Sequence, residues 1–486
     1  MTTNPLFDLP IYPDSMAQAG QCSYVLLRSS DGHGKRLAIL GPAQGFDGQR
    51  QGDLLLCPLT AANAAALRAA LPWLQPQPLG LQTSAGCGDR LGLATPGHIR
   101  SFRKVSGVAP ILAQQSVREN VRTGRTPQGV LDDAMWGAFQ EGWQAGYGAD
   151  ADHLKTPADA DSMAAAGYTF FTIDPGEYVD DSAHTAAPAA LAGKVAALPW
   201  EALEMQPGDL ARRYLGQAFE LEHGRLIFDE ESLLRAAAKY GRAVAHVARM
   251  YRYLAAILPH RPWEMEISVD ETETPTSHLE HLYVVLELKR LGVRWVSLAP
   301  RYVGRFEKGV DYIGDLHALQ ADLAGHAAIA RALGPYKLSL HSGSDKFSVY
   351  PLIVEATQGM VHLKTAGTSL LEAQRAIAQV QPALFRQVYE LAFQRYDEDR
   401  RTYHVSAQPG RAPQPPGLAD ADLPAVLDQF DEREMLHVTF GSALARYGDA
   451  IKATLRGHEE VHYAALEAHF DRHLAAFATG GRQGMH

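Results

Sequence analysis

Eight short strand-like segments, most of them separated by enough chain for a helix, constrain this sequence more than any other feature. They fall at residues 79–84, 110–113, 146–151, 168–173, 263–269, 293–298, 336–340 and 360–363. Strands spaced in this way pair in parallel, because a tight hairpin cannot join them and a helical crossover can. Extended over roughly 250–400 residues, the alternation predicts a (β/α)8 barrel with insertions. A doubly wound sheet is the competing layout. It does not require eight strands, and no GxGxxG turn opens a helix here.

At 486 residues the chain exceeds one average domain, so appended pieces are expected. Residues 1–78 read as a small N-terminal α+β domain. Strand patterns at 23–27 and 36–40 flank a Ser-, Asp- and Gly-rich loop at 29–35, and an alanine-rich helix at 60–71 runs into the proline-dense stretch 72–78. Residues 79–370 hold the barrel, interrupted at 176–262 by a helix-rich insertion in which 230–258 carries apolar residues at helical spacing. Residues 371–486 read as a helical extension, with helices at 370–380, 383–399 and 447–476 and a polar, proline-rich loop at 407–416.

The formal net charge of −10 is spread along the chain, which argues against nucleic acid or an anionic membrane as a partner, since both reward a clustered positive field. Cys22, Cys57 and Cys87 lack CxxC spacing, so neither a disulfide framework nor a thiolate zinc site is expected. No apolar run approaches the ~18 residues of a membrane span, and the N-terminus lacks the charged start and apolar core of a signal peptide. The expected compartment is the cytoplasm.

In barrels of this kind, chemistry sits where the strands end. Residues 263–308 illustrate the layout. Glu264, Glu266, Asp270, Glu271 and Glu273 fall within ten positions, a helix is predicted over 279–291 with Gly292 as its stop, and the next strand ends at Pro300-Arg301. His153, His341 and His362 fall at the exits of the third, seventh and eighth strands. Neutral imidazoles beside a carboxylate suit a divalent transition metal with an open position, which would polarise a carbonyl and its neighbouring hydroxyl. A single strand histidine is more often a hydrogen-bonded structural residue; three of them converge on one volume only if the barrel closes.

Asp152 and Glu266 are the acid–base candidates. The bland alternatives are a helix-start cap for Asp152 and a buried pair with Arg261 or Arg301 for Glu266. Asp270 to Glu273, ahead of Thr274-Pro275-Thr276-Ser277, read as loop and N-cap chemistry. Arg301, Lys346, Lys364 and Arg90 are candidates for binding the carboxylate or phosphate of an anionic substrate. The turns Ser342-Gly343-Ser344 and Ala366-Gly367-Thr368-Ser369 fall where barrel enzymes often hold phosphate, although such turns are also common without a ligand.

Five stretches, SAGCGDRLGLATPGH (84–98), EISVDETETPTSHLEH (266–281), VSLAPRYVGRFEKGVDYIGDL (296–316), LHSGSDKFSVYP (340–351) and HLKTAGTSLLEA (362–373), together resemble the tagaturonate epimerase family. The likeness runs from Gly86 to the segment 436–441. It implies a divalent-metal-dependent interconversion of D-tagaturonate and D-fructuronate in hexuronate breakdown; the residue roles above rest on the barrel reading. The two ketouronates differ at a carbon one removed from the ketone, so direct enolisation does not acidify its hydrogen. Retro-aldol cleavage, rotation of the aldehyde fragment and re-addition would invert it. Transient hydride transfer is the rival route and would need a dinucleotide, for which no fingerprint is present. A metal-dependent aldolase or isomerase acting on another sugar acid or sugar phosphate is the alternative enzyme. A catalytically silent binding subunit would leave the reactive residues scattered rather than gathered at strand exits.

Overall fold

The strands alternate polar and apolar residues with period two, as in Glu264-Met265-Glu266-Ile267-Ser268, Lys337-Leu338-Ser339-Leu340 and Val361-His362-Leu363-Lys364-Thr365. That pattern ordinarily marks a sheet with one wet face. In the computed structural model, which describes residues 9–28, 34–222 and 224–480, every residue of these three strands is buried. The reason is closure. Eight parallel strands form a barrel: β1 (Ser84–Gly88), β2 (Ala109–Ser116), β3 (Gly148–Leu154), β4 (Phe170–Ile173), β5 (Glu264–Ser268), β6 (Ser297–Ala299), β7 (Lys337–Leu340) and β8 (Val361–Thr365). β8 joins β1 in register His362 to Ser84, and β4 joins β5 in register Phe170 to Glu264. The apolar alternates, such as Met265, Ile267, Leu338 and Leu363, belong to the hydrophobic clusters under the helices. The polar alternates meet inside the barrel.

Two expectations shift for the same reason. The first strand lies at Ser84–Gly88 rather than 79–84; Leu79 and Gly80 instead donate their backbone N–H groups to the Glu264 carboxylate, at 2.9 and 2.6 Å. A strand of Ser, Ala, Gly and Cys runs against β propensity, but small residues suit a crowded barrel wall. The second, third and eighth strands run beyond the expected ends, so Gln114 to Ser116, Asp152, His153 and Lys364 lie within strands. Polar residues do not end a strand whose inner face is polar.

Helices cover the outside. Helix α1 (Glu230–Ile257) dominates the insertion and starts at an Asp229–Ser232 capping box; the insertion also holds an unanticipated antiparallel hairpin, Ala218–Leu221 with Gly224–Ile227. Helix α2 (His278–Arg290) starts at Ser277, whose hydroxyl accepts from the Glu280 N–H, and stops before Gly292 at φ +73°. Helix α3 (Leu316–Leu333) is capped by Asp315. Before the barrel, five antiparallel strands and the helix Ala61–Ala70 form a separate layer. The expected loop at 29–35 lies largely outside the described residues.

After β8 come α4 (Thr368–Val380), Pro382–Asp399, Phe430–Val438, Phe440–Gly457 and α5 (Glu459–Gly480). The helix expected as one stretch over 447–476 breaks at His458. A buried ionic network fastens this extension to the barrel mouth. Asp345, in the turn after β7, receives Arg433 at 3.0 Å and His469 of α5 at 2.5 Å, while Arg433 also reaches Glu372 of α4 at 3.2 Å. Among the described residues, no helix is long and apolar enough to cross a membrane.

Candidate active site

The inner face of the barrel is ionic. Lys364 of β8 lies at its centre, with Nζ 2.8 Å from Asp150, 2.7 Å from Asp152 and 2.9 Å from Glu266, and with Thr172 Oγ1 accepting at 2.7 Å. Thr172 donates in turn to Asp150 at 2.9 Å. Burial disfavours the ammonium charge, but the carboxylates of Asp150, Asp152 and Glu266 hold Lys364 well above the ordinary lysine range. Asp150 is pushed up to about 6 by burial, restrained by Lys364 and helped by the charges of Asp152 and Glu266. Burial also opposes ionisation of Asp152, yet His153, Lys364 and His341 hold it below the usual carboxylate range. Lys364 and His341 do the same for Glu266.

One layer nearer the mouth, Asp152, His153 and His341 each present a ligand atom, all within 4.8 Å of one another. His153 sits at φ +53°, a left-handed conformation that turns its ring at the end of β3. Its Nδ1 lies 3.2 Å from Asp174, leaving Nε2 to face Asp152 at 3.7 Å. A carboxylate behind a ring in this way is what metal-ligating histidines characteristically have. His341 lies between Glu266, 2.5 Å from Nε2, and Asp270, 3.2 Å from Nδ1. Against burial, Asp152, Glu271 and Asp174 raise His153 to about 10, and Glu266 and Asp270 raise His341 against burial and Lys364. The carboxylates thus gather two positive charges on two imidazoles. A dication supplies the same charge while freeing a lone pair on each ring, so the donor set fits a divalent metal.

The other residues singled out from the sequence are placed as follows. His362 is not drawn into this group. It is fully buried deeper in the barrel, with Nδ1 2.9 Å from Ser84 Oγ and its ring 5.3 Å from Phe170. Lys346 is also fully buried, and its ammonium donates to the backbone carbonyls of Glu307, Val310 and Ser344. All three of its protons are used in holding the loop after β6. Arg90 pairs with Glu119 and stacks on Phe440 at 3.7 Å. Lys364 serves as counter-charge to three carboxylates. These four side chains make their polar contacts within the protein, and His362 Nε2 and Arg90 Nη1 are left without a hydrogen-bond partner. Glu266 pairs with neither Arg261, which donates to the backbone oxygens of Ala164 and Tyr168, nor Arg301. Gly343 makes a close-packing turn: a Cβ there would lie 2.3 Å from Leu363 and 2.6 Å from the Leu340 oxygen.

Arg301 lines a cavity of 390 Å³ at the barrel mouth, together with Asp270, Arg305, Lys308, His341 and Ser342. Lys308 donates to Ser342 at 2.9 Å, and Tyr403 of the C-terminal extension forms part of the rim. Asp150, Asp174 and Lys308 carry no role in the sequence reading, and Asp270, read there as loop or N-cap chemistry, instead lies 3.2 Å from His341. Asp150 was within reach, since it stands two positions before Asp152 and shares its face.

The sequence profile of the tagaturonate epimerase family matches residues 12–477. A protein of Thermotoga maritima named tagaturonate/fructuronate epimerase is 43% identical over 473 residues, covering 96% of both chains. Two crystal structures of the fructuronate-tagaturonate epimerase of Cohnella laeviribosi superpose on the present one at 35% identity. The form with one bound glycerol gives a TM-score of 0.92 over 97% of both chains, and the native form 0.90 over 96% of both. By sequence, by fold and over nearly its whole length, this chain belongs to the tagaturonate epimerase family and is an isomerase of the carbohydrate epimerase class.

Proposed function

We propose that this chain interconverts D-tagaturonate and D-fructuronate by retro-aldol cleavage and re-addition, with a divalent cation held by His153 and His341 beside Asp152. The observation that carries the reading is the convergence of those three side chains next to a mouth cavity bordered by both cations and carboxylates, Arg301, Arg305 and Lys308 among the former. Such a cation supplies Lewis acidity to a ketone and its adjacent hydroxyl. The remaining work falls to the protein. Arg301, Arg305 and Lys308 border the cavity and suit the substrate carboxylate, with arginine offering a bidentate fork. Asp152 and Glu266 form the pair that removes the proton from the hydroxyl at the inverting carbon and returns it after re-addition. Loss of that proton lets the neighbouring carbon–carbon bond break, giving an aldehyde and an enediolate fragment. Rotation of the aldehyde presents its other face, the bond re-forms, and the proton goes back to the new alkoxide. Lys364 keeps both carboxylates ionised at rest, which a base requires.

The test has two arms. Chelation should abolish interconversion and a divalent metal should restore it; His153→Ala and His341→Ala should lose the bound metal. In D2O the inverted carbon should keep its own hydrogen, because that C–H bond never breaks in this route. Deuterium at that carbon, or full activity in excess chelator, would sink the proposal.

A further inference from the structure

A second group of metal-ligating side chains lies outside the barrel, between α2 and α3. His278 stands in the first turn of α2, and Asp322 and His326 stand one helical turn apart on α3, so both helices present their donors to a common point. Asp322 Oδ1 is 3.6 Å from His278 Nε2 and 3.5 Å from His326 Nε2, and the three donor atoms lie within 4.8 Å of one another. Hydrogen bonds of this type close to about 2.7–3.2 Å, so these spacings are long for direct bonds. They are close to the ~3.4 Å that separates two ligands of one tetrahedral ion with bonds of about 2.0–2.1 Å.

Three further features point to the same place. His326 is fully buried, yet its Nε2 has no hydrogen-bond partner. The other edge of that ring is already fixed: His326 Nδ1 lies 2.9 Å from His281 Nδ1, and His281 Nε2 lies 2.9 Å from the Tyr336 hydroxyl. If His326 donates to His281 and His281 donates to Tyr336, His326 Nε2 is left with a bare lone pair facing Asp322 and His278. That relay is the outer support a metal-bound imidazole requires. Finally, Gly325 interrupts α3 where the His278 ring lies; a Cβ there would fall 2.2 Å from His278 Cε1. A mid-helix glycine is unfavourable relative to alanine, and here it makes room for the imidazole. The His278 side chain is 35% exposed, so its ring can turn its proton toward water and away from the Asp322 carbonyl, 3.1 Å from Nε2 in this structure.

We propose that His278, Asp322 and His326 form a second divalent-cation site, of the zinc-binding type, separate from the barrel mouth and structural in role. Two imidazoles and one carboxylate leave a fourth position for water on the exposed side. Asp322 Oδ2 accepts from the Val303 N–H at 3.0 Å, and Tyr302 packs against His326 at 5.6 Å between ring centres. A cation here would therefore brace the loop after β6, which carries Arg301, Arg305 and Lys308 to the mouth.

The experiment counts metal on untagged full-length protein, stripped with chelator and titrated with zinc alone. Wild type should take up two equivalents. His278→Ala and Asp322→Asn should each take up one, and His341→Ala should retain this one. Zinc should raise the melting temperature of stripped wild type and of His341→Ala by more than that of His278→Ala. His278 is partly exposed, so its truncation spares the core; Gly325→Ala displaces the same ring without altering any donor and should also lose one equivalent. Unchanged zinc uptake in His278→Ala and Gly325→Ala would overturn the proposal. Loss of an equivalent in these variants, with none lost in His341→Ala, would uphold this site and refute the barrel-mouth site instead.

Discussion

Replacing Lys364 by methionine removes the one ammonium shared by Asp150, Asp152 and Glu266 while keeping most of the side-chain volume. Lys364 is 1% exposed, Asp150 and Glu266 are 0% exposed and Asp152 is 7%, so solvent does little to screen the change. Removing one partner of a buried ion pair costs about 3–5 kcal/mol, because the charge left behind is uncompensated. The pH dependence should also change sign. In the wild type, Asp152 and Glu266 have depressed folded pKa values, so their contribution is present at neutral pH and is lost as pH falls through the acid range. Without the ammonium, Asp150 loses the charge that restrains it and rises further above its unfolded value, so its contribution favours the folded state as pH falls. Urea unfolding from pH 5 to pH 8 measures both effects. The variant should lose about 3–5 kcal/mol near neutral pH and recover up to about 1.4 kcal/mol per pH unit for each carboxylate that protonates on acidification. Adding Asp150→Asn should recover part of the loss, as expected for groups in contact. Wild-type stability at neutral pH, or a variant that weakens on mild acidification, would refute the assignment of Lys364 as counter-charge.

Three other outcomes follow from the same structure. Glu434 and Glu307 converge on the Ser406 N–H, and burial together with Glu307 pushes Glu434 up to about 8. Its stabilising contribution is complete below the unfolded carboxylate range and disappears as pH rises through about 8; Glu434→Gln should flatten that fall in an unfolding series from pH 5 to pH 9. Gly343→Ala should cost about 1–3 kcal/mol in thermal or chemical unfolding, because its Cβ meets the Leu340 and Lys364 backbone oxygens; a neutral effect would mean that the turn after β7 shifts freely. His362→Asn should retain the metal that His153→Ala loses, checked by elemental analysis, since His362 lies with Ser84 and Phe170.

Short strand-like segments and helix-length spacers were enough to read eight parallel strands, and the closed barrel bears that reading out. Asp152, His153 and His341 were legible as polar residues at strand exits, and the structure brings them together. Lys346 and Arg90 show where such reasoning fails. A cation after a strand looks the same in sequence whether it faces a ligand or three backbone carbonyls, and only the fold of the loop after β6 decides the matter for Lys346. His362 fails differently. It stands beside Ser84 near the start of β8, and a histidine facing the interior can stand in any layer of the barrel.

The amino-acid order alone determined where most barrel strands and their helices form, because hydrophobic periodicity and capping residues such as Ser277 and Glu280 act over a few positions. It could not determine which side of the strands would face inward. Glu264, Glu266, Lys337, His362 and Lys364 alternate with apolar residues, and an open sheet would have left them in water. Closure of the barrel buries both faces at once, and opposite charges drawn from β3, β5 and β8 can then neutralise one another across its axis. Those partners are up to 214 positions apart in the chain, as with Asp150 and Lys364, so their meeting is a property of the tertiary structure.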